Sequence, residues 1–316
     1  MVHKITEREQ VLLRVLVRNA RTDISTMADL LGVGRNWVSK TIRNLVVAGV
    51  IRAYVAVFDP AQVYAERNTI LLLKTNPREL MVSKSLLEIS ELESLDGVSG
   101  EHSLLGLFRF RSSSAFEDFL NTIDSIAARS GARTYDLVQV LATYKTRGFI
   151  PSRLQASYPP PTNTEWELMS ILSRHVPTKD RPMPLTQKEI GLRMSHRPSQ
   201  PAVSKAMSRL EERGTILGYS IDVDHRHLGL PVKFFLQIKS SPGMVADTAQ
   251  RVSEMPEVWD LHRTSEALSL FATVRARSID EYNQFLRKLY KIDGVEDTQS
   301  QVSLEEWPVA QKSCLM

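Results

Sequence analysis

The sequence predicts an α+β chain in which one two-domain unit is written twice, and three observations lead there. First, RNWVSKTIRNLVVAGVIRAYVAVFDP (35–60) and QPAVSKAMSRLEERGTILGYSIDVDH (200–225) repeat their landmarks. Val38, Ser39 and Lys40 match Val203, Ser204 and Lys205; Leu45 matches Leu210, Gly49 Gly214, Ile51 Ile216, Tyr54 Tyr219 and Asp59 Asp224, every pair 165 residues apart. A constant offset of that length marks a duplicated domain, not a short solenoid repeat. Second, the chain has 316 residues, room for two units of about 150 residues each. Third, each unit reads as three helices and a strand, followed by a βαββαβ pattern.

In the first unit the front part is residues 1–60. Thr6 and Glu9 have capping-box spacing, and Val11, Leu12, Val15 and Leu16 form the apolar stripe of a first helix. Ser25 is placed to cap a second helix that runs to Leu31 and is closed by Gly32. The third helix is expected from Arg35 to Ala48, with Val38, Ile42 and Leu45 on one face. Gly49 ends it, and Val50–Phe58 follow as a strand. The second front part is residues 164–225. Thr164 and Glu167 are predicted as its first capping box and Thr186 and Glu189 as another, with Leu185 and Ile190 spaced as a hydrophobic staple. Pro201 suits the first turn of its third helix. Three helices and a strand ribbon of this kind make a winged helix-turn-helix.

The rear parts are residues 66–148 and 230–306. In the first, strands are predicted near Thr69–Lys74, Val98–Glu101, Leu104–Arg111 and Arg133–Tyr144, with helices near Arg78–Glu91 and Ser114–Ala128. In the second, strands are predicted near Val232–Lys239, Val258–Arg263, Leu268–Arg275 and Val295–Leu304, with helices near Met244–Met255 and Ile279–Lys291. This order predicts a ferredoxin-like domain with both helices on one sheet face. In TILLLK, neighbours such as Leu71 and Leu72 are both apolar. Strand neighbours point to opposite faces, so the face without helices is expected to pair with another sheet. Between the units, residues 149–163 carry Pro159, Pro160 and Pro161, a stiff extended spacer.

Composition narrows the class. Apolar residues are 42% and charged residues 24% of the chain, ordinary for a globular protein. No run is long and apolar enough to span a bilayer, so no membrane partner is expected. Cys314 is the single cysteine, which rules out an internal disulfide and a cysteine-rich metal site, and fits a cytoplasmic location. No cofactor and no metal is expected. His225 and His227 beside Asp222 and Asp224 offer too thin a ligand set on a turn. Charge is unevenly placed: residues 1–58 carry nine Lys and Arg against four Asp and Glu, or +5, and residues 164–225 nine against eight, or +1. Residues 68–148 carry nine against ten, or −1, and residues 231–306 nine against twelve, or −3. Positive charge in the helical parts points to a polyanion partner there.

The third helix gives that partner a face. Opposite its apolar stripe lie Arg35, Asn36, Ser39, Lys40, Arg43 and Asn44. These types suit base edges and phosphates: Arg for guanine, Asn for adenine, Ser and Lys for phosphate. The duplicate offers Ser199, Gln200, Ser204, Lys205, Ser208 and Arg209. Arg52, on the first strand, is in reach of a DNA backbone, while its duplicate is Leu217. The first helix is therefore expected to bind double-stranded DNA more strongly than the second. Trp37 is expected to pack inward.

RLEERGTILGYSIDVD and RNLVVAGVIRAYVAVFDP, each followed by βαββαβ, resemble the Lrp/AsnC (feast/famine) transcription regulators, here twice in one chain. The resemblance implies DNA binding and pairing of the ferredoxin-like domains into a homodimer or higher oligomer. It also implies control by a small-molecule effector such as an amino acid. That family's sensing turn reads Gly-acidic-X-Asp. It is partly matched by Gly100-Glu101-His102-Ser103, and its second copy keeps only Glu266, 165 residues after Glu101. An effector's amine would meet Glu101 or Glu266; a plain hairpin turn with an exposed acid is the alternative. Sirohaem decarboxylases resemble the same architecture and use a His-bearing segment where Glu101-His102 stands, but here Ser103-Leu104-Leu105-Gly106 follows.

Overall fold

The protein is described from a computed structural model covering residues 4–64, 67–75, 81–130, 134–152 and 160–309. Cys314, Pro159 and the expected starts at Arg78 and Arg133 lie outside the described residues. In chain order the first unit comprises helices α1 (Glu7–Arg18), α2 (Ile24–Leu31) and α3 (Arg35–Val47), strand β1 (Ala53–Phe58), short α4 (Pro60–Val63), β2 (Arg67–Lys74), α5 (Met81–Leu87), β3 (Leu92–Val98), β4 (Leu104–Phe110), α6 (Ser113–Ser130) and β5 (Thr134–Lys145). The second comprises α7 (Asn163–Ser173), α8 (Gln187–Arg193), α9 (Gln200–Glu212), β6 (Ile216–Asp222), a 3-10 turn at His225–Leu228, β7 (Val232–Ser240), α10 (Val245–Glu254), β8 (Val258–Thr264), β9 (Leu270–Ala276), α11 (Ile279–Leu289) and β10 (Val295–Trp307).

The two helical parts form one compact body and the two βαββαβ parts another. In the helical body, β1 has its partner in the other repeat: it pairs antiparallel with β6, and Val55 faces Ser220. Those two residues are 165 apart, so the duplicated strands cross at their equivalent positions. Each strand also covers the other repeat's helices. β6 packs on α1 and β1 packs on α7. Ala20 donates its N–H to the Tyr219 carbonyl at 2.9 Å, and His175 exchanges two backbone bonds with Tyr54 at 2.8 Å. All six residues of β1 are buried, with β6 beside it and α7 packed on it.

Local signals fix the helices. Thr6 and Glu9 form the expected box on α1, and Thr186 and Glu189 form theirs on α8. Two expectations are corrected. The α2 cap is Asp23, not Ser25: its carboxylate accepts from Thr26 N at 2.9 Å and Thr26 Oγ1 at 2.6 Å, better satisfaction than one hydroxyl gives. The α7 box is Thr162 with Glu165, not Thr164 with Glu167. TNTEWE contains both frames, and the earlier one buries Leu168, Met169 and Leu172. Gly49 and Gly214 end α3 and α9 at φ of +69° and +68°, the left-handed region that other residues enter at a cost.

In the second body all eight strands close into an antiparallel barrel in the order β10-β3-β4-β2-β5-β8-β9-β7. Each ferredoxin-like half supplies four strands, and the halves join at the β5–β8 and β10–β3 seams. The apolar sheet faces anticipated from Leu71 and Leu72 therefore meet inside a single chain. Leu71 packs in the layer under α5 and α6 with Phe108 and Phe119, whereas Leu72 lies inside the barrel with Ile70, Phe235 and Phe271. The third layer, beneath α10 and α11, is built on Leu236, Tyr282 and Phe285. Several boundaries differ from expectation: β1 starts at Ala53 rather than Val50, and α5 ends at Leu87 rather than Glu91. β3 lies at 92–98 rather than 98–101, because residues 99–103 make the turn in which Gly100 takes φ +113°. β10 runs past Leu304 to Trp307, whose ring packs into the first half's helix-side core.

Candidate nucleic-acid interface

Helix α3 buries Val38, Thr41, Ile42 and Leu45 against its own domain. Helical geometry then turns Arg35, Asn36, Lys40, Arg43 and Asn44 outward, and all five are exposed. Ser39 is half-buried, and its hydroxyl donates to the Arg35 carbonyl at 3.2 Å. Trp37 is half-buried as well. Arg35, Lys40 and Arg43 make no ion pair among the described residues. Three cations on one helix face without internal partners form a local positive field.

Helix α9 repeats the burial with Val203, Met207 and Leu210. Its outer face differs in kind. Ser199, Gln200, Lys205 and Ser208 are exposed, but Ser204 is half-buried and accepts from Gln187 Nε2 at 3.1 Å. Arg209 lies 3.4 Å and Arg213 3.6 Å from Glu165 Oε1. Glu165 is 2% exposed, and its Oε2 accepts from Thr162 N at 2.9 Å and Thr162 Oγ1 at 3.1 Å. Burial pushes that carboxyl up, but the Thr162 hydrogen bonds, Arg213 and Arg209 outweigh it and hold it below the usual carboxylate range. The first helix has Asn44 and Ala48 where the second has Arg209 and Arg213. The duplicate thus carries a similar number of cations but spends two on its own fold. The sequence offered Glu165 as a clue, through the alternative Thr-X-X-Glu frame.

Arg52 faces the swapped strand: its guanidinium lies 3.9 Å from Asp222 and 3.8 Å from Asp224. Asp222 also holds Arg174 at 2.8 Å, and Asp224 holds Arg226 at 2.6 Å. Both aspartates beside His225 and His227 are thereby committed to arginines. No group of three His, Cys, Asp or Glu is arranged for a metal among the described residues. No described helix is long and apolar enough to cross a membrane.

The effector candidates lie on two hairpins of the barrel body. Lys74 Nζ donates to the Gly100 carbonyl at 3.1 Å. Glu101 is exposed. His102 is 8% exposed, and its Nε2 lies 3.0 Å from Asp136 Oδ2. Ser103 exchanges bonds of 3.3 Å with Thr75. Exposed Glu266 stands on the β8–β9 hairpin, where Ser265 N donates to the Gln139 carbonyl of β5; the first hairpin instead bonds β10 through Ser99 N and the Val302 carbonyl. The two acids therefore occupy separate settings.

The barrel also holds a charge network that sequence reading missed. Lys233 Nζ sits 2.8 Å from both Asp96 oxygens and 3.2 Å from Glu306, while Arg275 makes two bonds of 2.7 and 2.6 Å to Glu306. Asp96 belongs to the first half and the others to the second, so the network pins one seam. Its signal is faint: single charges in otherwise apolar strands, as in VKFF and TVRA.

Residues 233–309 match the Lrp/AsnC ligand binding domain family. Among curated relatives, the HTH-type transcriptional regulator FL11 of Pyrococcus furiosus is 26% identical over 129 residues, 40% of this chain and 82% of that protein. LrpA of Pyrococcus horikoshii is 28% identical over 142 residues, 44% of this chain and 93% of that protein. LrpA of Mycobacterium tuberculosis is 28% identical over 153 residues, 48% of this chain and all of that protein. These regulators have the length of one unit. Among solved structures, the siroheme decarboxylase NirDL aligns over 95% of this chain and 92% of its own, with TM-score 0.61 and 16% identity. That likeness is one of fold.

Proposed function

We infer that this chain, a tandem protein of the Lrp/AsnC family, is a sequence-specific DNA-binding transcription regulator with both family units fused. The observation that carries this reading is the outward face of α3. Arg35, Lys40 and Arg43 are exposed without ion pairs among the described residues, and Asn36 and Asn44 stand among them. The α3 face enters a major groove, and Arg35, Asn36, Arg43 and Asn44 read bases while Lys40 holds phosphate. Ser39 and Arg52 support the approach. The α9 face, with Ser199, Gln200, Ser204, Lys205, Ser208 and Arg209, takes the weaker half-site. Naming of the relatives as transcriptional regulators supports this assignment. No residue is assigned a catalytic role, and a cytoplasmic location fits this reading.

The ligand-binding family match supports a small-molecule effector on the barrel body, with Gly100–Ser103 or Glu266 as its contact. The sheet faces of the two ferredoxin-like halves are paired with each other within this chain. A homodimer or higher oligomer of the ferredoxin-like domains therefore uses their outer surfaces.

Anisotropy titrations with duplexes selected in vitro test the reading. Arg43→Ala and Lys40→Ala are expected to weaken binding more than Lys205→Ala or Arg209→Ala. Equal losses at all four positions would remove the dominant first reader. A second reading, a tetrapyrrole enzyme, is favoured by the full-length fold likeness to NirDL. In that case the protein shifts the absorbance of an added iron tetrapyrrole and shows no salt-dependent binding to duplex.

A further inference from the structure

The helical body carries a half-open pocket with about 20 Å3 of room where its two repeats meet. Tyr54 and Tyr219 of the paired strands and Leu172 and Leu185 of the second repeat line it, together with Arg21, His175 and Ser220, whose hydroxyl is bonded to the Val17 carbonyl. The Arg21 guanidinium lies 4.5 Å from the Tyr219 ring centre and its Nη2 donates to the Leu185 carbonyl at 3.4 Å. Its Nε is buried without a hydrogen-bond partner. His175 is 9% exposed, its ring stacks on Tyr54 at 6.4 Å, and its Nε2 is likewise buried and unpartnered. Arg21 makes no ion pair among the described residues.

We propose that this cavity binds one small monovalent anion of halide size, together with one proton on His175. The volume admits a single occupant of about the size of a water molecule. Arg21 brings a permanent charge and a free N–H, and that charge selects an anion over a neutral guest. The other ring nitrogen of His175 bonds the Met183 carbonyl, so the neutral ring offers a lone pair at Nε2. Protonation turns Nε2 into a second donor toward the occupant. Burial and Arg193 disfavour that proton, whereas Glu189 and the Met183 carbonyl favour it. Arg21, Tyr54 and Tyr219 are the other ionisable groups on the cavity wall. A bound anion adds to the favourable side, so anion and proton enter together. Arg21 comes from the first repeat and His175 from the second, so occupancy ties the two helix-turn-helix parts to each other. Nothing here depends on what α3 binds.

Thermal unfolding of the full chain in sodium chloride and in sodium gluconate of equal ionic strength, at about pH 6 and about pH 8, tests the proposal. The expected result is a chloride-specific rise in Tm, larger at the lower pH. Arg21→Gln abolishes the rise, and His175→Gln removes its pH dependence. Chlorine-35 NMR on the unmodified protein reads the site directly, as line broadening that bromide competes away. Equal Tm in both salts with no broadening means that water alone fills the cavity and overturns the proposal. So does a chloride effect that survives Arg21→Gln.

Discussion

Glu165 Oε1 faces Arg209 and Arg213 while its Oε2 caps α7. One buried carboxylate therefore both starts a helix and neutralises two arginines at the end of the neighbouring α9. Glu165→Gln is expected to keep the cap geometry, lose about 1–3 kcal/mol of stability, and free two arginines. Duplex affinity should rise at low salt, measured by anisotropy beside a urea melt of the same variant. Its folded carboxyl titrates below the ordinary range, so its contribution is present at neutral pH and vanishes as pH falls through that depressed value. His262 acts at higher pH. It is 4% exposed, its Nδ1 lies 3.1 Å from Thr143 Oγ1, and burial pulls it down to about 4 from the ordinary 6.5. Between those values the unfolded chain takes up a proton that the folded chain refuses. Stability should thus fall by about 3 kcal/mol as pH drops from 6.5 to 4. His262→Gln should flatten that decline in a series of denaturant melts across the range.

At the scale of elements, α3 and α9 keep one fold while their outer faces differ. Both keep the buried stripe and the left-handed glycine at the end. Arg35 and Arg43 become Gln200 and Ser208 in the duplicate, and Arg209 is committed to Glu165. With Lys40 on a phosphate, Lys40→Ala should lower the slope of log affinity against log salt by about 0.9. Substitutions on α9 should change that slope less. The third helices were legible because a 3.6-residue stripe and a terminal glycine are local signals. The partner of β1 was not legible, since six apolar residues fit a wing hairpin as well as a swapped strand. The wrong α7 frame has the same origin: two Thr-X-X-Glu patterns overlap in TNTEWE, and burial of Leu168 and Leu172 decides between them.

At the scale of the molecule, the fusion has a mechanical consequence. β1 covers α7, β6 covers α1, and the barrel closes through the β5–β8 and β10–β3 seams. Neither half of the chain holds all the strands that complete its own core. Residues 1–152 produced alone are expected to aggregate or self-pair, and mixing with residues 160–316 should restore one soluble complex, read by size-exclusion chromatography with mass detection. Adjacent Leu71 and Leu72 announced a two-sided sheet, but periodicity holds no information about which sheet covers it; closure within one chain emerged only in three dimensions. The exposed face of α3 is where the proposed regulator reading is tested. The most direct measurement is the salt dependence of duplex binding for the intact chain and for Lys40→Ala/Arg43→Ala. A steep decline of affinity with salt, shallower in the double variant by about the one phosphate that Lys40 holds, is the predicted result. Salt-insensitive association, or a slope unchanged by the double substitution, would contradict it.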